Sequence, residues 1–98
     1  MAAFPITGRF VGDFVPHLVA VDTDDTMDVV AEKVASFTLG HRLPRPAGPA
    51  AYDVLLDGEV LDPAATFGAV LTERQLLPLQ WIDVRFREPV DFREQVDA

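Results

Sequence analysis

One stretch of this chain, beginning at Met27, repeats its apolar residues at the helical period, and the patterned segments around it repeat at the period of a strand. Met27, Val30, Ala31, Val34 and then Phe37 or Thr38 fall at i, i+3, i+4, i+7 spacing, which makes one stripe for packing on a sheet. Asp24, Asp25 and Thr26 precede it with side-chain oxygens able to cap free amide groups, and Asp28 and Glu32 lie toward the positive end of such a helix. The expected helix runs from about Met27 to Phe37 or Leu39. Gly40 supplies a left-handed stop, and Pro44 and Pro46 forbid continuation. A chain with one helix of this kind folds by laying it across a sheet.

The sheet is written on both sides of that helix. Phe4, Ile6 and Phe10 alternate with Pro5, Thr7 and Arg9, followed by Val11-Gly12-Asp13 as a turn. From Phe14 to Asp22, Val15, Val19 and Val21 share one face while Leu18 and Ala20 share the other, so these two runs pair antiparallel. After a connector from Leu43 to Ala51, Tyr52 to Leu56 reads as a third strand, Asp57-Gly58 as a tight turn and Val60-Leu61 as a short fourth strand. Thr66 caps a brief helical turn from Phe67 to Leu71, and Trp81 to Phe86 alternates once more, with Ile82, Val84 and Phe86 on one side. The order is that of an α+β β-grasp roll: a mixed sheet of four to five strands with one main helix on one face. Residues 1–88 form this domain, and residues 89–98 form an acidic C-terminal tail.

Composition narrows the chemistry. The chain has 98 residues, no cysteine, and sixteen acidic against eight basic side chains, a net charge of -8. That length supports one domain. The missing cysteine removes disulfides, thiolate catalysis, thiolate zinc sites and cysteine-held iron–sulfur clusters. The negative charge opposes nucleic acid and anionic membranes, so a protein partner is expected. No apolar run approaches the roughly 20 residues of a membrane span, and no signal-peptide pattern opens the chain, so the expected compartment is the cytoplasm. Arg42 and Arg45 make the one locally basic segment, beside His41.

Two resemblances follow from these residues. Val19 to Val34 resembles the strand-to-helix crossing of ubiquitin-like proteins, and Leu55-Leu-Asp-Gly-Glu-Val-Leu-Asp62 resembles their strand, glycine turn and short strand. The second is to the small γ (B) subunit of the hydroxylase in bacterial multicomponent diiron monooxygenases of the toluene-4-monooxygenase type. It rests on Ala3-Phe-Pro5, Asp13-Phe14, Leu18-Val-Ala-Val-Asp22, Met27-Asp28 with Val30-Ala-Glu-Lys-Val-Ala35, the segment Arg42 to Gly48, and Ile82-Asp83-Val84 before Arg87-Glu88. This resemblance implies an accessory subunit without catalytic residues. Its partners would be the large α (diiron) and β hydroxylase subunits in an (αβγ)2 complex, with an effector protein, a Rieske ferredoxin and a reductase acting on that complex. The non-haem diiron centre would lie in the α subunit, where O2- and NADH-dependent hydroxylation of aromatics or epoxidation of alkenes occurs. Toluene or benzene, and alkenes such as isoprene or propene, stay open as substrates. The alternative is a free-standing ubiquitin-like adaptor that binds another protein.

The residues agree that this chain holds no reaction centre of its own. Diiron sites need Glu-x-x-His pairs on facing helices; Glu32, Glu59, Glu73, Glu88 and Glu94 all lack a histidine three residues on. His17, on the core side of the second strand, and His41, after the helix, read as packed or hydrogen-bonded side chains. Ser36, the single serine, has no base near it in sequence. Asp22, Asp24, Asp25 and Asp28 lack EF-hand spacing and read as helix caps. No Gly-Gly exists, so a conjugated modifier or sulfur carrier is disfavoured.

What remains is surface. Pro5, Thr7, Arg9, Leu18, Ala20, Leu55, Trp81, Asp83 and Arg85 are expected to face away from the helix. Leu18, Leu55 and Trp81 are apolar where water should be and are candidate partner-binding residues. The competing reading covers that patch with Val90, Phe92 and Val96 of the tail. Arg42 and Arg45 are candidates for a basic finger on an acidic partner, against the reading of a solvated proline-rich connector.

Overall fold

The computed structural model describes residues 2–13, 15–41, 43 and 50–87. Five strands and two helices follow in the order β1 (Ala3–Phe10), β2 (His17–Asp22), α1 (Met27–Ser36), β3 (Tyr52–Leu56), β4 (Glu59–Val60), α2 (Phe67–Arg74) and β5 (Gln80–Phe86). They build one mixed sheet in the order β2-β1-β5-β3-β4. β1 pairs antiparallel with β2 and parallel with β5, and β3 joins β5 and β4 antiparallel. The last strand thus returns beside the first, as the β-grasp order requires.

Alternation along the strands gives the sheet one dry face. Ile6 and Phe10, Val19 and Val21, Val54 and Leu56, and Ile82 and Val84 are buried against Val30, Ala31, Val34 and Ala35 of α1. Each fully buried large apolar side chain contributes about 1.5–3 kcal/mol, so this layer dominates stability. Gly8 occupies the same face of β1, and a Cβ there would meet Val34 Cγ2 at 2.8 Å. The missing side chain is what lets α1 approach β1 so closely. At one end of the layer, Phe10, Tyr52 and Phe86 form an aromatic cluster with ring centroids 5.1–6.1 Å apart.

The two helix starts are stitched together. Thr26 Oγ1 accepts from Val29 N, and Thr66 Oγ1 accepts from Ala69 N. Thr26 and Thr66 also form an isolated bridge, with Met27 N donating to Ala65 O and Phe67 N to Asp25 O. Gly68 N donates to Thr23 O at 2.8 Å, and a Cβ on Gly68 would lie 3.0 Å from that oxygen. Free amides of one helix are therefore satisfied by the backbone leading into the other.

Boundaries differ from expectation in several places, among them the fourth strand, which is Glu59–Val60 and not Val60-Leu61, because Leu56 and Leu55 pair with Glu59 and Val60 across the Asp57-Gly58 turn. β2 begins at His17, not near Phe14. α1 ends at Ser36 with Phe37 as its C-cap, and Gly40, at φ 81°, belongs to a following turn in which its amide donates to Leu43 O. α2 runs past Leu71 to Arg74 and is stopped by left-handed Gln75, whose amide donates to Leu71 O. Asp57 and Gly58 take φ 52° and 83°, the two positive values of a hairpin turn that Asp-Gly favours.

Candidate functional site

The face of the sheet opposite α1 has no layer upon it among the described residues. Register places Thr7 of β1 directly between Leu18 of β2 and Trp81 of β5. One row away, Pro5 lies opposite Ala20, and Leu79 N donates to Pro5 O at 2.9 Å. Leu18 is 69% exposed, Trp81 44% and Leu79 56%. Water thus meets an apolar strip across β2, β1 and the start of β5, interrupted only by Thr7, whose hydroxyl donates to Leu79 O, an arrangement that costs free energy until something covers it. Leu79, held at φ 68°, was invisible to strand periodicity because it precedes β5 in a loop.

Leu55 lies on the same face but not in the same strip. Its partner in β5 is Asp83, two residues beyond Trp81, and its partner in β4 is Val60. Leu55 is half-buried and Val60 exposed, so this pair extends the apolar surface toward the β4 edge. Asp83 stands between the two apolar areas, where it accepts from Arg9 Nε at 3.1 Å and from Trp81 Nε1 at 2.9 Å. The Arg9 guanidinium also lies 5.7 Å from the centre of the Trp81 ring. These contacts hold the indole in a defined pose, with its polar edge satisfied and its remaining surface available.

Beyond Asp83 the open face becomes charged. Arg85 Nε donates to Asp53 Oδ2 at 3.3 Å, Arg87 Nε donates to Asp53 Oδ1 at 3.1 Å, and Arg87 Nη2 reaches Tyr52 O at 2.8 Å. Arg87 also lies 3.9 Å from Asp28 of α1, at the rim between the two faces, so three arginines here meet three aspartates. The open face itself carries balanced Arg9–Asp83 and Arg85–Asp53 pairs, brought together from positions far apart in sequence. Arg42 and Arg45, the sequence candidates for a basic contact, lie outside the described residues, as do Val90, Phe92 and Val96.

The acids cluster elsewhere. Asp25 accepts a hydrogen bond from the Lys33 ammonium and another from Asp22 N. Burial pushes the Asp25 carboxyl up, but the Lys33 bond, the Asp22 amide and the Lys33 charge together outweigh it and leave its pKa below the ordinary 3.8. The bidentate Arg74 bond and the Arg74 charge lower Glu59, and the same pair raises Arg74. Both are structural pairs. Asp13, buried beside the turn after β1, accepts from Thr38 Oγ1 and from Val15 N, tying that turn to the end of α1. His17 stacks on Phe37 with centroids 5.1 Å apart. No three His, Asp or Glu side chains among the described residues are grouped so as to hold a metal ion. No helix among them is long and apolar enough to cross a membrane.

A site made of apolar strip, oriented indole and paired charges is suited to grip a protein, and similarity to known proteins gives it a context. Residues 3–86 match the family described as toluene-4-monooxygenase system protein B, TmoB. This chain belongs to the TmoB family. Relatives of this TmoB member include the γ subunit of the oxygenase component of the alkene monooxygenase system of Xanthobacter autotrophicus, 64% identical over 88 residues, covering 90% of this chain and all of the relative. The γ subunit of the hydroxylase component of the toluene-4-monooxygenase system of Ectopseudomonas mendocina is 36% identical over the same shares. A chain in the solved toluene 4-monooxygenase HD complex with the inhibitor 4-bromobenzoate superposes with a TM-score of 0.74 at 34% identity, covering 88% of this TmoB chain and all of that one. The ubiquitin-like domain of EccD5 from Mycobacterium xenopi, at 20% identity, has a TM-score of 0.60 over 92% of this chain and all of that domain. That likeness shows that the TmoB fold here is ubiquitin-like.

Proposed function

We propose that this chain is the accessory γ subunit of the hydroxylase component of a soluble diiron monooxygenase that epoxidises alkenes. The observation that supports it most is the 64% identity along the whole length of an alkene monooxygenase γ subunit, against 36% for the toluene relative. Its role is structural. The chain binds the large α subunit, steadies the helices that carry the two irons, and supplies no ligand or proton-transfer group to the reaction. Within the complex, (αβγ)2 in this reading, an effector protein aids turnover, and electrons pass from NADH through a reductase and a Rieske ferredoxin.

Docking uses the open sheet face. Leu18 and Trp81 are the anchors, with Pro5, Ala20 and Leu79 around them, and Leu55 with Val60 extends the contact. The Arg9–Asp83 and Arg85–Asp53 pairs form the polar rim. Aromatic residues such as Trp81 are enriched among the few that carry most of the energy in protein interfaces, aliphatic neighbours exclude water around them, and rim charges govern register and encounter.

The experiment is purification of the complex from its native host, with iron content and subunit ratio measured. Equal amounts of this chain and an iron-bearing large chain, and epoxide formed from propene, are expected. An iron-free monomeric isolate would instead support a free-standing adaptor, and hydroxylation of toluene without propene epoxidation would move the substrate to aromatics.

A further inference from the structure

β2 is an edge strand, and its outer side is unusually receptive. Thr23 N donates to Ala2 O, and antiparallel ladders alternate between pairs that exchange both bonds and pairs that exchange none. Counting back through the register, Phe4 with Val21, Ile6 with Val19 and Gly8 with His17 are the bonded pairs. Leu18, Ala20 and Asp22 therefore turn their amides and carbonyls away from β1. The amide of Asp22 agrees with this: it donates to Asp25 Oδ2 at 2.9 Å, outside the sheet. No described residue meets the outward groups of Leu18 or Ala20.

The two edges of the sheet contrast. β4 is two residues long, and the Arg74–Glu59 pair lies beside it, so it offers little to a foreign strand. β2 is six residues long, His-Leu-Val-Ala-Val-Asp, without lysine, proline or a break in its register with β1. Those are the devices by which exposed edges avoid pairing, and this edge has none of them until Asp22.

We infer that the outer edge of β2 receives an extended segment of the large hydroxylase chain as an additional antiparallel or parallel strand. This rests on the reading of the chain as a γ subunit. Leu18 carries both halves of the contact: its side chain belongs to the apolar strip, and its backbone belongs to the edge. A partner strand bonded there continues the docking surface without a gap. Charge selects the occupant. A second copy of this chain would bring another net charge of -8 to the edge, whereas Asp22 at the end of β2 favours a strand with lysine or arginine at that end and apolar residues along the rest.

The test uses the full chain and the large hydroxylase chain. Ala20→Pro removes a donor that points outward and spares the bonds between β2 and β1. It is expected to keep the melting temperature of the free chain within a few degrees while weakening binding to the large chain at least tenfold. Hydrogen exchange of the wild-type chain supplies a readout free of any folding defect. On assembly, the amides of Leu18 and Ala20 should slow at least tenfold, while those of Val19 and Val21 are slow already. Free exchange at Leu18 and Ala20 inside an intact complex, or full affinity of a folded Ala20→Pro chain, overturns the strand pairing and leaves the subunit reading standing. Failure of the wild-type chain to bind the large chain overturns both, whereas self-association of the free chain through the same amides overturns the strand pairing alone.

Discussion

Gly8 lies beneath Val34 so closely that a single added carbon on the glycine would stand 2.8 Å from Val34 Cγ2. The central strand and the main helix therefore meet through a residue chosen for what it lacks. Gly8→Ala should destabilise the chain by about 1–3 kcal/mol through overpacking, read as a lower melting temperature. Adding Val34→Ala to Gly8→Ala should recover part of that loss, because it removes the methyl groups in the way. A Gly8→Ala chain as stable as wild type would show that the helix can retreat at no cost.

Thr26 and Thr66 lead to a second expectation. Each caps its own helix, and the two positions bridge to one another. Thr26→Ala or Thr66→Ala should each cost about 1 kcal/mol. The double variant should depart from the sum, because neighbours that share a backbone contact are coupled. Urea unfolding of the four chains measures this, and strict additivity would mean that the caps act alone.

Acid unfolding should report the Asp25–Lys33 pair. The folded-state pKa of Asp25 is lowered from 3.8, so its contribution is fully present above about pH 5 and fades as the pH falls through 3.8 and below. Lys33→Met removes the partner and should flatten the fall in stability over that window, leaving a nearly constant deficit at neutral pH. A parallel pair of pH–stability curves would contradict the assignment.

Much of this fold was legible because its signals are local. Met27, Val30, Ala31 and Val34 state the helix in four positions, and the Asp57-Gly58 turn fixes the β3–β4 hairpin by backbone geometry alone. The outward residues Leu18, Leu55 and Trp81 were legible from alternation. Other features depend on pairing across distance. Arg9 and Asp83 are separated by 74 positions, and Arg85 reaches Asp53 across 32; only the sheet register makes them neighbours. Gly8 likewise looks like an interruption of strand pattern until α1 is laid over it. The lone basic cluster at Arg42 and Arg45 was the charge signal that sequence could offer, yet the described cations paired on the open face, Arg9 and Arg85, come from β1 and β5.

The Arg9–Asp83–Trp81 contact should position the anchor without being one itself. Asp83→Asn keeps the shape but loses the charge that pairs with Arg9, and it should weaken docking on the large chain by a smaller factor than loss of the indole. Salt titration separates the two effects: the Asp83→Asn deficit should narrow at high ionic strength, while a Trp81→Ala deficit should persist. A Trp81→Ala deficit that salt abolishes would place the anchor elsewhere.

The most direct test of the account is the affinity of the large hydroxylase chain for wild-type, Leu18→Asp and Trp81→Glu forms of this chain, measured by calorimetry and followed by gel filtration. The account predicts that both variants stay folded, lose at least about 30-fold in affinity, as expected for a hot-spot residue worth about 2 kcal/mol, and elute apart from the large chain. Co-elution of folded Trp81→Glu and Leu18→Asp chains at wild-type affinity would contradict docking through the open face of the sheet.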